Sequence, residues 1–203
     1  MAAFERMGAH VVVDARGENL VRSRRHDEGH RRAFVVEAQG LANLLHEFVH
    51  AVMFGCLADD HGIDYGQIPF DLSRPEHRRI LWDELACCVV SCAYVAHVTK
   101  PGEQLAVADA WFADQIAIQH VFYGDEEQYA FVARVEECVR AHEVELEHTI
   151  LRAYANVSDA LSNVTIGGRS VCDSIVRHTF GELWSRFRAN GLLMPTTVGL
   201  ANG

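Results

Sequence analysis

The sequence predicts a mainly α (α+β) fold, in which a single helical domain follows a small N-terminal β hairpin. Long segments place apolar residues three and four positions apart, which is the spacing of an amphipathic helix. No proline occurs between Gly102 and Met194, as suits long helices. The chain has 203 residues, 49% of them hydrophobic, and shows neither an internal repeat nor a linker. We therefore expect one domain over 1–203 with a single core.

The β element is predicted within residues 1–32. Val11 to Val13 and Leu20 to Arg22 are short strand-like runs on either side of the turn-like residues 16–19. Two such runs separated by a short turn are typical of a hairpin. The stretch 22–32 is locally basic but also contains acidic residues, so it is interpreted as a solvated segment.

The helical body is predicted over 33–190, and residues 191–203 are predicted to form a flexible tail. Five segments have helical spacing and end near glycine, proline or another helix-ending sequence: 33–54, 78–99, 103–122, 126–155 and 173–190. The first of these is expected to end at Gly55. The segment that follows it is rich in glycine and proline and is predicted to be a long loop.

Composition excludes several classes of partner. The formal net charge is -10, and binding phosphates requires clustered Lys and Arg, so no nucleic-acid partner is expected. There is no run of 18 apolar residues and no secretory signal, so no membrane partner is expected. Three of the six cysteines, Cys87, Cys88 and Cys92, share one apolar segment, which is typical of reduced buried thiols. We therefore expect a cytoplasmic protein.

The segment HEFVH, residues 46–50, carries two histidines one helical turn apart. On a helix this spacing lets both imidazoles bind one zinc ion, while the intervening glutamate holds a bound water. The two histidines lie nearly opposite the apolar stripe of their helix, whereas neutral core histidines would share that stripe. His46 and His50 are therefore interpreted as metal ligands and Glu47 as a catalytic base.

A third ligand is predicted on the next helix. Residues 80–98 are apolar on nearly every face if helical, so this helix should be buried all round. Glu84 lies inside it, and a buried carboxylate is normally paired with a cation or bound to a metal. Glu84 is the expected third ligand, and pairing with Arg78 or Arg79 is the alternative.

Over about residues 41–92, HEFVH and the later segment WDELA resemble the gluzincin branch of zinc metallopeptidases. The resemblance implies that His46, His50 and Glu84 bind zinc and that Glu47 is the general base. It also implies that the substrate is a peptide or protein. Such enzymes hold the substrate along an edge strand, for which Val11 to Val13 is the candidate.

Some ligand positions stay open. The metzincin pattern does not fit, because Met53 and Cys56 stand where glycine and histidine are required. Cys56 itself, as a thiolate, is a minor candidate for an additional ligand, and His61 and Asp64 of the long loop are two more.

The residue that would stabilise the oxyanion is also open. His142 lies on the apolar stripe of segment 126–155, so it is either a core histidine or a residue that faces the metal. Tyr65 is a second candidate. Three further residues have suitable side chains: Tyr94, His120 and Tyr123.

Two other functions are compatible with the sequence. Glu47 with His50 and Glu145 with His148 form two ExxH pairs, and Glu84 adds a lone carboxylate, as in the di-iron oxygenases and oxidases of helical bundles. Against this, His148 points away from the apolar stripe of its helix. A structural zinc-binding protein would be favoured if the cysteines of the 80–98 segment bound the metal. Zinc is thus the predicted metal, with iron as the alternative, and the oligomeric state is not predicted.

Overall fold

The structure is a computed structural model that describes residues 9–16, 20–24, 33–55, 71–97, 99–100, 102–122, 128–166 and 168–190. Its strands are β1 (Ala9–Val13), β2 (Leu20–Arg24) and β3 (Ala33–Ala38). Its helices are α1 (Leu41–Gly55), α2 (Pro75–His97), α3 (Gln104–Phe122), α4 (Gln128–Leu161) and α5 (Phe180–Ala189). The short strands β4 (Thr165–Ile166) and β5 (Arg169–Ser170) and a 3-10 turn (Val171–Ser174) connect α4 to α5. The predicted mainly helical fold with an N-terminal β element is confirmed.

The N-terminal sheet is not the predicted hairpin. β3 lies in the centre, parallel to β1 and antiparallel to β2, so the two strands that were expected to pair are separated by a third. The prediction of a helix from residue 33 was also wrong, because residues 33–38 form β3. The run AFVVEA is rich in the β-branched and aromatic residues that favour strands, and apolar spacing over six residues fits either structure.

α1 begins at Leu41, directly after the bend at Gln39 and Gly40, and ends at Gly55 as predicted. It packs against β3 on one side and against α2 and α4 on others. Val36 and Ala38 of β3 are fully buried beneath it. The rest of the predicted loop up to residue 70, and the predicted tail over 191–203, lie outside the described residues.

α2 is the central helix of the protein. It contacts α1, α3, α4 and α5, and every residue over 84–94 is buried, which confirms the burial predicted for 80–98. By length and apolar composition alone α2 could cross a membrane. However, 78% of its most apolar window is buried inside the protein, and a core helix passes the same test.

α4 is tied to α2 by polar contacts near the middle of its length. Glu145 accepts hydrogen bonds from Arg78 Nε at 3.4 Å and from Trp82 Nε1 at 3.3 Å. Arg78 also donates to the carbonyl oxygens of Leu72 and Ser73, so the turn before α2 is held by the same side chain. α4 is longer than its predicted segment and contains one residue with non-helical torsion angles, His142.

α5 starts later than predicted because a capping box defines its first turn. The Thr179 side chain accepts from the backbone N–H of Glu182, and the Glu182 side chain accepts from the backbone N–H of Thr179. Three aromatic residues of α5 then surround Phe112 of α3: Phe180, Trp184 and Phe187. This aromatic cluster attaches α5 to the helical body.

Replacing Phe112 with alanine is expected to lower the free energy of unfolding by about 3–5 kcal/mol, the usual cost of removing a buried phenyl ring. Leu105→Ala is the matched control, because Leu105 lies on the same helix and is 54% exposed. Its effect should stay within about 0.5 kcal/mol. Urea denaturation measures both values. Equal stabilities of the two variants would contradict the packing of α5 on α3.

Candidate metal centre

The three predicted ligands meet where α1 packs on α2. His46 Nε2 lies 3.1 Å from His50 Nε2. Glu84 Oε1 lies 3.1 Å from His50 Nε2, and Glu84 Oε2 lies 3.7 Å from His46 Nε2. Among the residues that the structure describes, these are the only His, Cys, Asp or Glu side chains that form such a group, with one donor atom each within 4.8 Å of the others.

These separations suit donors around a small metal ion. A tetrahedral zinc ion with bonds of about 2.0–2.1 Å places neighbouring donor atoms roughly 3.3 Å apart. His50 Nε2 lies 3.1 Å both from His46 Nε2 and from Glu84 Oε1, which is close to that value. The donor types, two imidazole nitrogens and a carboxylate oxygen, are also ones that zinc binds.

Hydrogen bonding alone explains the contact between His46 and His50 less well than a shared metal ion does. A neutral imidazole has one donor and one acceptor nitrogen, so two facing Nε2 atoms satisfy each other only if one of them carries the proton. His46 Nδ1 is buried and has no hydrogen-bond partner in the described part of the chain. A core histidine normally uses both nitrogens. The orientation of His46 is thus accounted for by its Nε2, which faces the other ligands.

Burial and charge are balanced within the site. His46, Glu47, His50 and Glu84 are each only 6% exposed. Burial by itself raises the pKa of Glu84, but the charge on His50 and hydrogen bonds with both histidines outweigh it and hold that pKa well below its usual range. Burial lowers the pKa of His50, yet Cys87 and Glu84 together bring it well above 6.5. Both shifts favour a protonated His50 beside an ionised Glu84.

Glu47 occupies a different position from the ligands. Its carboxyl group is buried beside them but does not belong to the converging set of donors. Burial raises the pKa of Glu47, and the charges on His50 and His46 offset only part of this effect. A buried carboxylate next to the ligand set, with increased proton affinity, is what the predicted base requires.

Two neighbours of the ligands were not assigned to the site from the sequence. Gln119 of α3 donates from Nε2 to Glu84 Oε2 at 2.9 Å, and both residues are buried. The buried Cys87 thiol interacts with His50 and contributes to the raised pKa of that histidine. Glu84 was identified because it is a polar residue in a mostly apolar helical segment. The same signal would also have indicated Gln119. Cys87 was considered only as a ligand of a structural zinc site.

The alternatives proposed for Glu84 and for the second ExxH pair do not hold in the described structure. Arg78 pairs with Glu145 and not with Glu84, and Arg79 is exposed. Glu145 therefore lies against Arg78 and Trp82, outside the ligand group, and His148 is exposed as predicted. The alternative in which Glu145 and His148 share a di-iron site with Glu84 is not supported, because α4 places Glu145 against Arg78 and leaves His148 exposed.

Among the described residues, no candidate for stabilising the oxyanion makes a described contact with the three ligands. His142 Nδ1 lies 3.4 Å from Glu145 Oε1, and its described contacts include none of the three ligands. Tyr94 is ten positions beyond Glu84 on the same helix, which is about 15 Å along the axis. The remaining candidates lie outside the described side chains: Cys56, His61, Asp64, Tyr65, His120 and Tyr123.

Comparison of the chain with protein-family models, with curated proteins and with solved structures finds no match. The likeness to gluzincins therefore stays a prediction from the quoted motifs. The geometry and chemistry of the donor group carry the functional argument.

Glu84→Gln is expected to weaken zinc binding by more than about 100-fold, beyond the usual effect of a residue that only supports a ligand. Asp83→Asn is the matched control, because Asp83 is the neighbouring acid and pairs with Arg152 at 3.3 Å. Its zinc affinity should be close to that of the wild type. Competition with a chromophoric chelator measures both, and equal affinities would remove Glu84 from the site.

Zinc binding is expected to release about one proton per chain near pH 7, because His50 must lose its proton to become a ligand. The folded pKa of His50 lies above 6.5, so this charge pair stabilises the metal-free chain fully below 6.5 and loses its effect as pH rises through the raised pKa. Zinc affinity should consequently fall as pH is lowered. Calorimetry in buffers of different ionisation enthalpy counts the protons, and a count of zero would contradict the charge pair.

Proposed function

We propose that the chain is a zinc-dependent metallohydrolase and that it cleaves peptide bonds. The convergence of His46, His50 and Glu84, with Glu47 buried beside them, carries this proposal. Catalytic zinc sites have three protein ligands and keep a fourth position for water or substrate, whereas structural sites are closed by four protein ligands. The described donor group has three members, as in a catalytic site.

A zinc ion held by these residues would supply a Lewis acid and a water of lowered pKa. Glu47 is placed to take a proton from the attacking water and to pass it to the leaving amine. Because burial raises its pKa, the Glu47 carboxylate binds a proton more readily than an exposed carboxylate does. Glu84 keeps its negative charge and serves as a ligand. The two buried glutamates therefore have separate roles.

The N-terminal sheet supports a peptide as substrate. Because β3 lies between them, β1 and β2 each have one edge that is unpaired within the described sheet. An exposed edge can bind an extended peptide as an additional strand. β2 is the edge strand with the larger contact to α1, so it replaces the predicted Val11 to Val13 as the favoured substrate strand.

Iron is the metal of the second candidate function. Two histidines and one carboxylate also bind non-haem iron in oxygenases. A di-iron version would need the second ExxH pair, and the structure places Glu145 and His148 away from the ligand group. The iron alternative is therefore reduced to a site with one iron ion. Metal analysis distinguishes this ion from zinc.

A purely structural zinc site has less support. It would need a fourth protein ligand, and among the described residues neither Cys87 nor any other His, Cys, Asp or Glu side chain joins the donor group. Cys92 is buried, and the charges that act on it are those of Asp109 and Arg186. Cys88 is likewise outside the converging donor group among the described residues.

The decisive variant is Glu47→Gln, which removes the proposed base and leaves the three proposed metal ligands in place. Protein purified without added metal should contain about one zinc per chain, and Glu47→Gln should retain it, since His46, His50 and Glu84 are unchanged. Hydrolysis of a mixed peptide library should fall by roughly 10²- to 10⁴-fold, the usual contribution of general acid–base catalysis. Elemental analysis and mass spectrometry measure the two quantities.

The exposed Glu103→Gln provides a control with the same chemical change, and it should keep both zinc and activity. Changing His46 and His50 together to alanine should abolish zinc binding. Iron in place of zinc in the wild type, or loss of the metal on Glu47→Gln, would refute the proposal. Zinc in a wild type that cleaves no peptide or amide would refute the peptidase assignment while leaving the metal site in place.

A further inference from the structure

The metal centre has a supporting residue on a third helix. Gln119 of α3 is only 5% exposed, and its Nε2 donates to Glu84 Oε2 at 2.9 Å. Burying an amide costs free energy unless its hydrogen bonds are made, so this contact determines where the Gln119 side chain lies. The carboxylate of Glu84 is thus held between α1, which carries the histidines, and α3.

The two oxygens of Glu84 are held in different ways. Oε1 is 3.1 Å from His50 Nε2. Oε2 is 3.7 Å from His46 Nε2 and receives the Gln119 hydrogen bond at 2.9 Å. The oxygen bound by Gln119 is therefore the one farther from its neighbouring histidine nitrogen. The amide N–H occupies one of the two lone pairs of Oε2, which makes this oxygen a weaker donor to a metal than Oε1.

We propose that Gln119 is a positioning residue that makes Glu84 bind the metal through Oε1 alone, so that one coordination position stays open. This inference rests on the proposed function. A tetrahedral ion bound by two histidines and both Glu84 oxygens would have no place left for water. With Oε2 held by Gln119, the three ligand residues fill three positions, which is the number that a hydrolytic site needs.

A neutral amide suits this role better than a cation would. Lysine or arginine at position 119 would neutralise Glu84 and weaken its attraction for the metal, whereas glutamine donates a hydrogen bond without adding charge. Two interhelical contacts fix its position. Trp111 Nε1, two turns earlier on α3, donates to Ser91 Oγ of α2 at 2.9 Å. Together with the Gln119–Glu84 contact, this bond sets the register of α3 on α2.

The test compares Gln119→Met with Gln115→Met. Gln115 is also buried, lies one turn earlier on α3, and makes no hydrogen bond to Glu84 in the described structure, so its replacement is a matched control. Gln119→Met should bind zinc about 10- to 100-fold more weakly than the wild type, the usual effect of losing a residue that orients a ligand. Gln115→Met should bind zinc like the wild type.

A second measurement reports the coordination directly and does not depend on activity. In the cobalt(II)-loaded protein, four-coordinate cobalt absorbs more strongly in the visible region than five-coordinate cobalt. Release of Oε2 in Gln119→Met should allow Glu84 to bind through both oxygens and lower this absorption. Gln119→Asn keeps the amide but shortens its reach, and it should show the same change if the methionine variant does not fold.

The outcomes separate the two proposals. A wild type that binds neither zinc nor cobalt would refute the metal centre and the role of Gln119 together. If the wild type binds zinc, and both Gln119 variants keep its zinc affinity and its cobalt spectrum, the positioning role alone is overturned. The positioning role is supported if the Gln119 variants bind zinc more weakly and show an altered cobalt spectrum while Gln115→Met behaves like the wild type. Loss of packing alone would not change the spectrum.

Discussion

The burial of one carboxylate, that of Glu84, is the constraint on which the site depends. An ionised carboxyl group inside a helical core is strongly unfavourable unless opposite charge and hydrogen bonds compensate for it. α1 supplies His46 and His50, and α3 supplies the amide of Gln119. Three helices that are separate in the sequence therefore meet around one side chain. Because each compensating group also orients Glu84, the contacts that make its burial tolerable also fix the direction of its carboxylate.

The central helix makes this arrangement possible. α2 is buried along most of its length, and its buried residues Arg78, Glu84 and Ser91 lie where neighbouring helices bring a polar partner. Arg78 and Trp82 meet Glu145 of α4, Glu84 meets α1 and α3, and Ser91 receives a hydrogen bond from Trp111. Each of these contacts costs free energy if only one partner is present. They therefore specify how the apolar surfaces of the helices are aligned. Apolar packing alone specifies this alignment less well.

Three glutamates show how environment separates chemical roles. Burial raises the pKa of Glu47, whereas the histidines hold the pKa of the equally buried Glu84 below its usual range, which matches the separate roles proposed for them. Glu145 is exposed, and the hydrogen bond from Trp82 is the main cause that lowers its pKa. Its role is to join α2 to α4. The second ExxH pair thus has the spacing of a metal site without the surroundings of one.

The sequence by itself determined the features that depend on one helix at a time. Residues four apart share a helical face, so the pairing of His46 with His50 could be predicted, as could the burial of Glu84 from the apolar residues around it. Tertiary structure decided everything that requires knowing which elements are neighbours. It placed β3 between β1 and β2, Gln119 against Glu84, and Glu145 against Arg78. Helical periodicity gives the direction of a side chain from its own axis, but the partner that it meets is set by the packing of distant segments.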